Sequence, residues 1–192
     1  LDLVSTKEPF QKLINQGMIL GEDNEKMSKS RGNVINPDVV IEQYGADSLR
    51  CYEMFMGPLE KVKPWQTTGV KGVFNFISRS FKFLTDPNNI SDKAEDVDIE
   101  KMLHKTIKKV GEDIEKMRFN TAISQMMIFT NLCYKKKKVT LNTAKAFTQL
   151  LSPFAPHVAE ELWEILGNSE TISYHKWPSY DEQLAKDDLI TI

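Results

Sequence analysis

The chain has 192 residues, of which 41% are apolar and 27% charged, and its formal net charge is −2. That length can bury the core of one domain with a smaller appendage, while no apolar run approaches the roughly 20 residues that cross a bilayer and no secretory leader is expected. A nearly neutral balance excludes nucleic-acid binding by bulk electrostatics, so any RNA contact has to come from local patches.

Residues 8–16 (EPFQKLINQ) read as a short helix, because Pro9 suits a first turn and Phe10, Leu13 and Ile14 recur at helical spacing before Gly17 ends it. Met18, Ile19 and Leu20 then suggest a strand, followed at Gly21 by a polar turn and a basic loop. Asn36, Pro37 and Asp38 supply the cap, first-position proline and first-turn acid of a helix running to Gly45. A second helix follows at once, with Leu49, Tyr52, Phe55 and Met56 on one face and Gly57-Pro58 closing it.

From Gly69 the pattern becomes a succession of amphipathic helices. The first places Val70, Val73, Phe74, Ile77, Phe81 and Leu84 at spacings of three and four, and the TDPNN segment breaks it. The next carries Ile99, Leu103, Ile107, Val110, Ile114 and Met117 in one stripe, which demands a partner helix. Two more follow, with Ala122, Ile123, Met126, Phe129 and Cys133 on one, and Ala144, Phe147, Leu150 and Leu151 on the other. A last helix begins near Pro156 and carries Val158, Ala159, Leu162, Trp163 and Leu166 up to Gly167. The fold class is therefore mainly α, a helical bundle preceded by a short loop-bearing segment. The two cysteines, Cys51 and Cys133, lie far apart in apolar stretches and read as small buried hydrophobes in a reduced, cytoplasmic setting. Opening on Leu1 without a methionine, the sequence is taken as an internal fragment of a longer chain.

The chemistry-bearing candidate is Lys26-Met27-Ser28-Lys29-Ser30-Arg31-Gly32-Asn33, too polar for a core. Two lysines, an arginine, two hydroxyls and a glycine suit it to meet anions, and lysine's flexible ammonium can follow a phosphate whose charge moves during reaction. Taken alone, such a run reads equally well as a solvated turn or a modification site.

The wider context goes further. EKMSKSRGN resembles the KMSKS signature of class I aminoacyl-tRNA synthetases, and VINPDVVIEQYGADSLRCYEMFMGPLE is similar to the helical segment that follows it in that class. Within the class, GMILG, YEMFMGPLE with KPW, RFNTAIS and SPFAPHVAEELWEILG resemble the leucyl-tRNA synthetase family of bacteria and organelles. The resemblance covers almost the whole chain. It implies a ligase that activates leucine with ATP and Mg2+ and transfers it to leucine tRNA, with Lys26 and Lys29 as catalytic residues. Lys26, Met27, Ser28, Lys29 and Ser30 would contact ATP, Met27 packing the loop against the helices and the serines fixing its shape.

It further implies that residues 1–65 form the loop and a stem-contact-fold-like connection, 66–178 an anticodon-binding domain, and 179–192 a tail leading to a further domain. For tRNA the candidates are Arg118, Lys71, Lys108 and Lys109, while Arg79, Lys82 and Lys105 read more simply as solvated surface and the Lys135 to Lys138 run as a loop between helices. Asn120 is a candidate helix cap, and Trp65, Trp163 and Trp177 are candidate base-stacking platforms, Trp163 reading better as core. The family's HIGH motif is not found here: His104, His157 and His175 are scattered and lack the H-x-G-H context, so they read as structural or surface residues and the piece alone is expected to be inactive. No metal site, no membrane partner and a monomeric state complete the expectation. Two alternatives are a helical RNA-binding module without catalysis and another class I synthetase such as the methionyl enzyme, against which the MFMGPLE and KPW words speak.

Overall fold

The computed structural model describes residues 3–93 and 95–186. Asn36 sits in extended backbone and its side chain accepts the N–H of Asp38, opening α1 (Pro37–Tyr44) with proline in the first turn. Gly45 then adopts φ 83° and ψ 154°, a conformation that side chains disfavour, and the chain enters α2 (Ala46–Phe55) without a loop. Beyond it come α3 (Thr67–Thr85), α4 (Val97–Glu115), α5 (Phe119–Lys136), α6 (Leu141–Leu151) and α7 (Pro156–Ile165). Short 3-10 turns occupy Pro87–Asn89 and Ile172–Tyr174.

Two parallel ribbons of two residues per strand tie distant segments together. In the first, β1 (Ile19–Leu20) pairs with β2 (Lys63–Pro64), Ile19 opposite Lys63. In the second, β3 (Ile90–Ser91) pairs with β4 (Val139–Thr140), Ile90 opposite Val139.

The most extensive helix pairing joins α4 to α5. Ile99, Leu103, Ile107 and Val110 form the buried stripe of α4, and Ala122, Ile123, Met126, Phe129 and Cys133 that of α5, all in one core with Cys51 and Tyr52 of α2 and Phe147, Leu150 and Leu151 of α6. Each fully buried leucine or phenylalanine stabilises this arrangement by roughly 1.5–3 kcal/mol. Asp96 caps α4 through the N–H groups of Asp98 and Ile99, and Thr140 caps α6 through Thr143.

The helix α7 has no capping side chain of its own at Ala155. Asp47 of α2 supplies one from 110 residues away: its Oδ2 accepts the Val158 N–H at 2.8 Å and its Oδ1 lies 2.8 Å from His157 Nδ1. Three residues on, the Arg50 guanidinium donates to the Pro153 carbonyl at 3.1 and 3.3 Å. The loop-bearing segment is thereby bolted to the far end of the bundle.

Several expectations from the sequence are corrected. Residues 8–16 form no helix; Phe10 is 83% exposed and Leu13 86%, so among the described residues their apolar face has nothing to pack on, and tertiary burial is what sustains a helix this short. Gly17 is not a helix end but a crossing point, since a Cβ there would stand 2.0 Å from the Lys61 carbonyl oxygen. The α4 stripe stops before Met117, whose φ of 57° lies outside the helix. Lys135 and Lys136 belong to α5, and the helix ends at Lys137 in the left-handed conformation rather than giving way to a four-lysine loop. Asn120 lies inside α5 and does not cap it. Trp65 is a core residue, 3% exposed, and not a stacking platform. Of the expected 179–192 tail, residues 187–192 lie outside the described residues.

Removing the Asp47 acceptor leaves the first turn of α7 uncapped. Asp47→Ala is expected to destabilise the chain by about 1–3 kcal/mol, read as a lower urea midpoint at unchanged slope. An equal midpoint would mean that α7 does not need the trans cap.

Candidate functional site

The basic loop is built as a turn on a fixed base. At its entry the Gly21 N–H donates to the Glu25 carbonyl at 2.9 Å, and Asn24 takes the left-handed conformation with its N–H on the Gly21 carbonyl at 3.0 Å. At its exit Gly32, φ 69°, donates to the Lys29 carbonyl at 3.2 Å. Glu22 reaches the first turn of α3, where its carboxylate accepts both the N–H and the hydroxyl of Thr67, at 3.0 and 2.6 Å. Those two bonds, the hydroxyl first, hold the Glu22 carboxyl below its ordinary range. Behind the loop, the Trp65 N–H donates to the Leu20 carbonyl at 2.9 Å while Tyr52 packs edge-on to its ring and accepts the Gln66 N–H.

Met27 is partly buried against the main core, whereas Lys26 and Lys29 are exposed and neither side-chain ammonium has a hydrogen-bond or ion-pair partner among the described residues. The Ser28 and Ser30 hydroxyls stand 3.2 Å apart, and Ser28 Oγ accepts the Arg31 N–H at 3.3 Å. Arg31 and Glu25 approach to 3.9 Å, both largely exposed, a pairing worth little in water. The loop therefore offers two unneutralised ammonium groups on a backbone shaped from beneath.

A residue that the sequence places in the loop without a role organises that base. Asn33 accepts the Ser28 N–H at 2.9 Å through Oδ1, and its Nδ2 donates to the Asp23 carboxylate at 3.0 and 3.1 Å and to the Lys26 carbonyl at 3.3 Å. The only signal in the sequence is an acid and an amide bracketing the basic run.

The bundle treats its cations differently. Lys109 and Arg118 converge on one buried carboxylate, Asp113, at 2.5 and 2.8 Å, and Thr121 donates to the same group at 2.6 Å. Lys108 pairs with Glu182 at 2.7 Å under the Tyr180 ring. Lys136 meets Asp96 and Asp98 at the start of α4. Arg79 donates to Asn131 and stacks on Tyr134. Of the four tRNA candidates only Lys71, exposed one turn into α3, has no intrachain partner among the described residues. His157 sits against Asp47, His104 accepts the Asp181 N–H, and His175 packs edge-on to Trp163, so each histidine holds a structural contact.

Both thiols are unreactive: burial pushes Cys51 and Cys133 up to about 12. Among the described residues no group of three or more metal-ligating side chains is assembled, and no helix is long and apolar enough to cross a membrane.

Residues 3–63 match the tRNA synthetases of class I (I, L, M and V), and residues 96–192 match the anticodon-binding domain of tRNA ligase. The leucine-tRNA ligase of Chloroherpeton thalassium is 55% identical over 99% of this chain, and that of Chlorobaculum tepidum 55% over all of it. A crystal structure of the ternary complex of Agrobacterium radiobacter K84 agnB2 LeuRS with tRNA and LeuAMS superposes with a TM-score of 0.79, at 33% identity, over 94% of this chain and 26% of that one. A KMSKS-type loop clamped to an anticodon-binding bundle defines a class I tRNA synthetase. Within that class the chain belongs to the leucine-tRNA ligase family, and it spans about 24% of the length of the curated relatives it matches.

Burial pushes the Asp113 carboxyl up, but the Lys109 ammonium, the Thr121 hydroxyl and the Arg118 guanidinium outweigh it and hold the group below its ordinary 3.8. A carboxyl depressed by folding adds stability that is complete above its unfolded value and fades as pH falls through the folded one. Asp113→Asn is therefore expected to be clearly less stable than the parent near about pH 7, with the gap closing below about pH 4. A gap independent of pH, in urea titrations across that range, would show that the ion pairs contribute nothing.

Proposed function

We propose that this chain is the part of a leucine-tRNA ligase that neutralises the phosphates of ATP during leucine activation and holds the tRNA body. In this division of labour residues 1–65 carry the loop and its connection, 66–178 form the tRNA-binding bundle, and 179–192 lead onward.

In the activation step the leucine carboxylate attacks the α-phosphorus of ATP, the bond to the β-phosphate oxygen breaks, and pyrophosphate leaves with the electron pair. Negative charge builds on the departing oxygens. In this reading Lys29 meets them, with Lys26 beside it, Ser28 and Ser30 hydrogen-bonding within the loop and Met27 seating it. An ammonium about 4 Å from a phosphate oxygen is worth roughly 4 kcal/mol at an effective dielectric of about 20, before desolvation. Only the share gained in the transition state speeds the reaction. Mg2+ travels with ATP as part of the substrate, and leucine and the adenosine moiety belong to the remainder of the ligase. The reading also includes a monomeric, cytoplasmic enzyme.

The single observation that carries the proposal is the contrast in pairing: the loop lysines are exposed and unpartnered, while most candidate cations of the bundle are bound to carboxylates. A cation already paired must give up that partner to hold a phosphate, so Lys71 is the bundle residue best placed to contact tRNA directly, with Lys108, Lys109 and Arg118 contributing only by exchange of partners.

In the full-length ligase, Lys29→Ala is expected to slow ATP-pyrophosphate exchange by about a hundredfold while leucine affinity stays within about twofold. Near-normal exchange would reject the phosphate role. For tRNA, Lys71→Ala should lower the slope of affinity against salt by about one, and Lys109→Ala by less, in filter-binding titrations at several salt concentrations. Equal slopes for parent and Lys71→Ala would remove Lys71 from the interface.

A further inference from the structure

We infer that Asp23 and Asn33 form a clasp that positions the lysine loop for activation, a role resting on the phosphate-contact reading of Lys26 and Lys29. The two residues stand ten apart and close the loop at its base. Asn33 uses its whole amide: Oδ1 takes the Ser28 N–H, and Nδ2 spans the Asp23 carboxylate and the Lys26 carbonyl. Its hydrogen bonds therefore fall on Lys26 itself and on Ser28, the neighbour of Lys29. Asp23, for its part, also accepts the Glu25 N–H at 3.1 Å, and the Asn33 bond first and that N–H second hold its carboxyl below the ordinary range.

The site is closely fitted around this pair. Gly21 lies against it, and a Cβ at that position would come within 2.6 Å of Asp23 Oδ1 and 3.0 Å of Asn33 Nδ2. Glu22, between Gly21 and Asp23, is itself anchored to Thr67 of α3. The clasp thus connects the loop to the bundle through two adjacent carboxylates, one gripping α3 and the other gripping the loop's return.

Geometry assigns the amide and the carboxylate distinct, exchangeable duties. A neutral donor must face a charged acceptor, so Asn33→Asp alone sets two carboxylates against each other, whereas Asp23→Asn/Asn33→Asp restores one donor to one acceptor with the Ser28 N–H still satisfied, the donation to the Lys26 carbonyl alone being lost. Without the clasp, the entropy of ordering the loop has to be met when the lysines engage the phosphates. The loss falls on the step in which pyrophosphate departs and spares the step in which a finished adenylate meets tRNA.

The test uses the full-length ligase with two readouts, ATP-pyrophosphate exchange and single-turnover transfer from preformed leucyl-adenylate to tRNA. Asn33→Ala should lower the turnover number for exchange by about ten- to a hundredfold, as expected for losing hydrogen bonds to a charged partner. Transfer should stay within about twofold, Asn33→Asp should be worse than Asn33→Ala in exchange, and the exchanged pair should recover part of the loss relative to Asn33→Asp. Exchange within about twofold of the parent in Asn33→Ala, alongside a collapsed Lys29→Ala, overturns the clasp and leaves the phosphate reading standing. Equal loss in both steps, or no recovery in the exchanged pair, overturns it as a mere folding defect. An unaffected Lys29→Ala removes the phosphate reading and the clasp together.

Discussion

The carboxylate of Asp47 under the first turn of α7 is the constraint on which the rest of the molecule depends. It is 6% exposed, and a charge so placed is tolerable only where donors surround it. The α7 backbone provides them, together with the positive end of the helix dipole. Because α2 also sends Arg50 to the Pro153 carbonyl and buries Cys51 and Tyr52 in the main core, one ten-residue helix fixes its own orientation from several sides. Everything N-terminal to it inherits that frame. Tyr52 accepts the N–H of Gln66 and packs on Trp65, Trp65 pairs with Leu20, and Leu20 delivers the chain to the lysine loop.

That chain of contacts explains which features the sequence made legible. Caps and periodicities are local: Asn36-Pro37-Asp38 begins α1, and the Ile99, Leu103, Ile107 and Val110 stripe is the buried face of α4. The loop was legible through composition and resemblance. What escaped were relations between residues far apart in the chain. Asp47 reads as an ordinary first-turn acid until α7 arrives beneath it, and Trp65 looks free to stack on bases until Tyr52 and the first ribbon enclose it. The short segment 8–16 fails in the opposite direction: its local pattern is helical, but among the described residues nothing covers Phe10 or Leu13.

Charge pairing follows the same logic. Lys109 and Arg118 carry a basic signal in the sequence, yet Asp113 lies four residues past one and five before the other, and the left-handed turn at Met117 folds Arg118 back onto it. The pairing is worth keeping because Asp113 is fully buried, and removing its partners would strand a charge in the core. A reading of basic residues as anion contacts thus needs to subtract those already committed to carboxylates, a quantity no local pattern supplies.

What survives the subtraction is a cationic loop with a rigid base and a free tip, and the energetics favour that division. Hydrogen bonds to charged groups are worth about 1.5–3 kcal/mol each, enough to hold the return at Asn33 in place. Salt bridges at the tip would be worth less than about 1 kcal/mol in water, and each would compete with an incoming anion. Placing the strong contacts at Asp23, Glu22 and Asn33 while leaving Lys26 and Lys29 unpaired therefore spends ordering energy where no ligand competes for it. Under the phosphate-contact proposal, the lysines are thereby left unpaired for a partner whose own charge shifts as it reacts. A loop stiffened at its tip would bind such a partner no better and would have to break contacts to follow it.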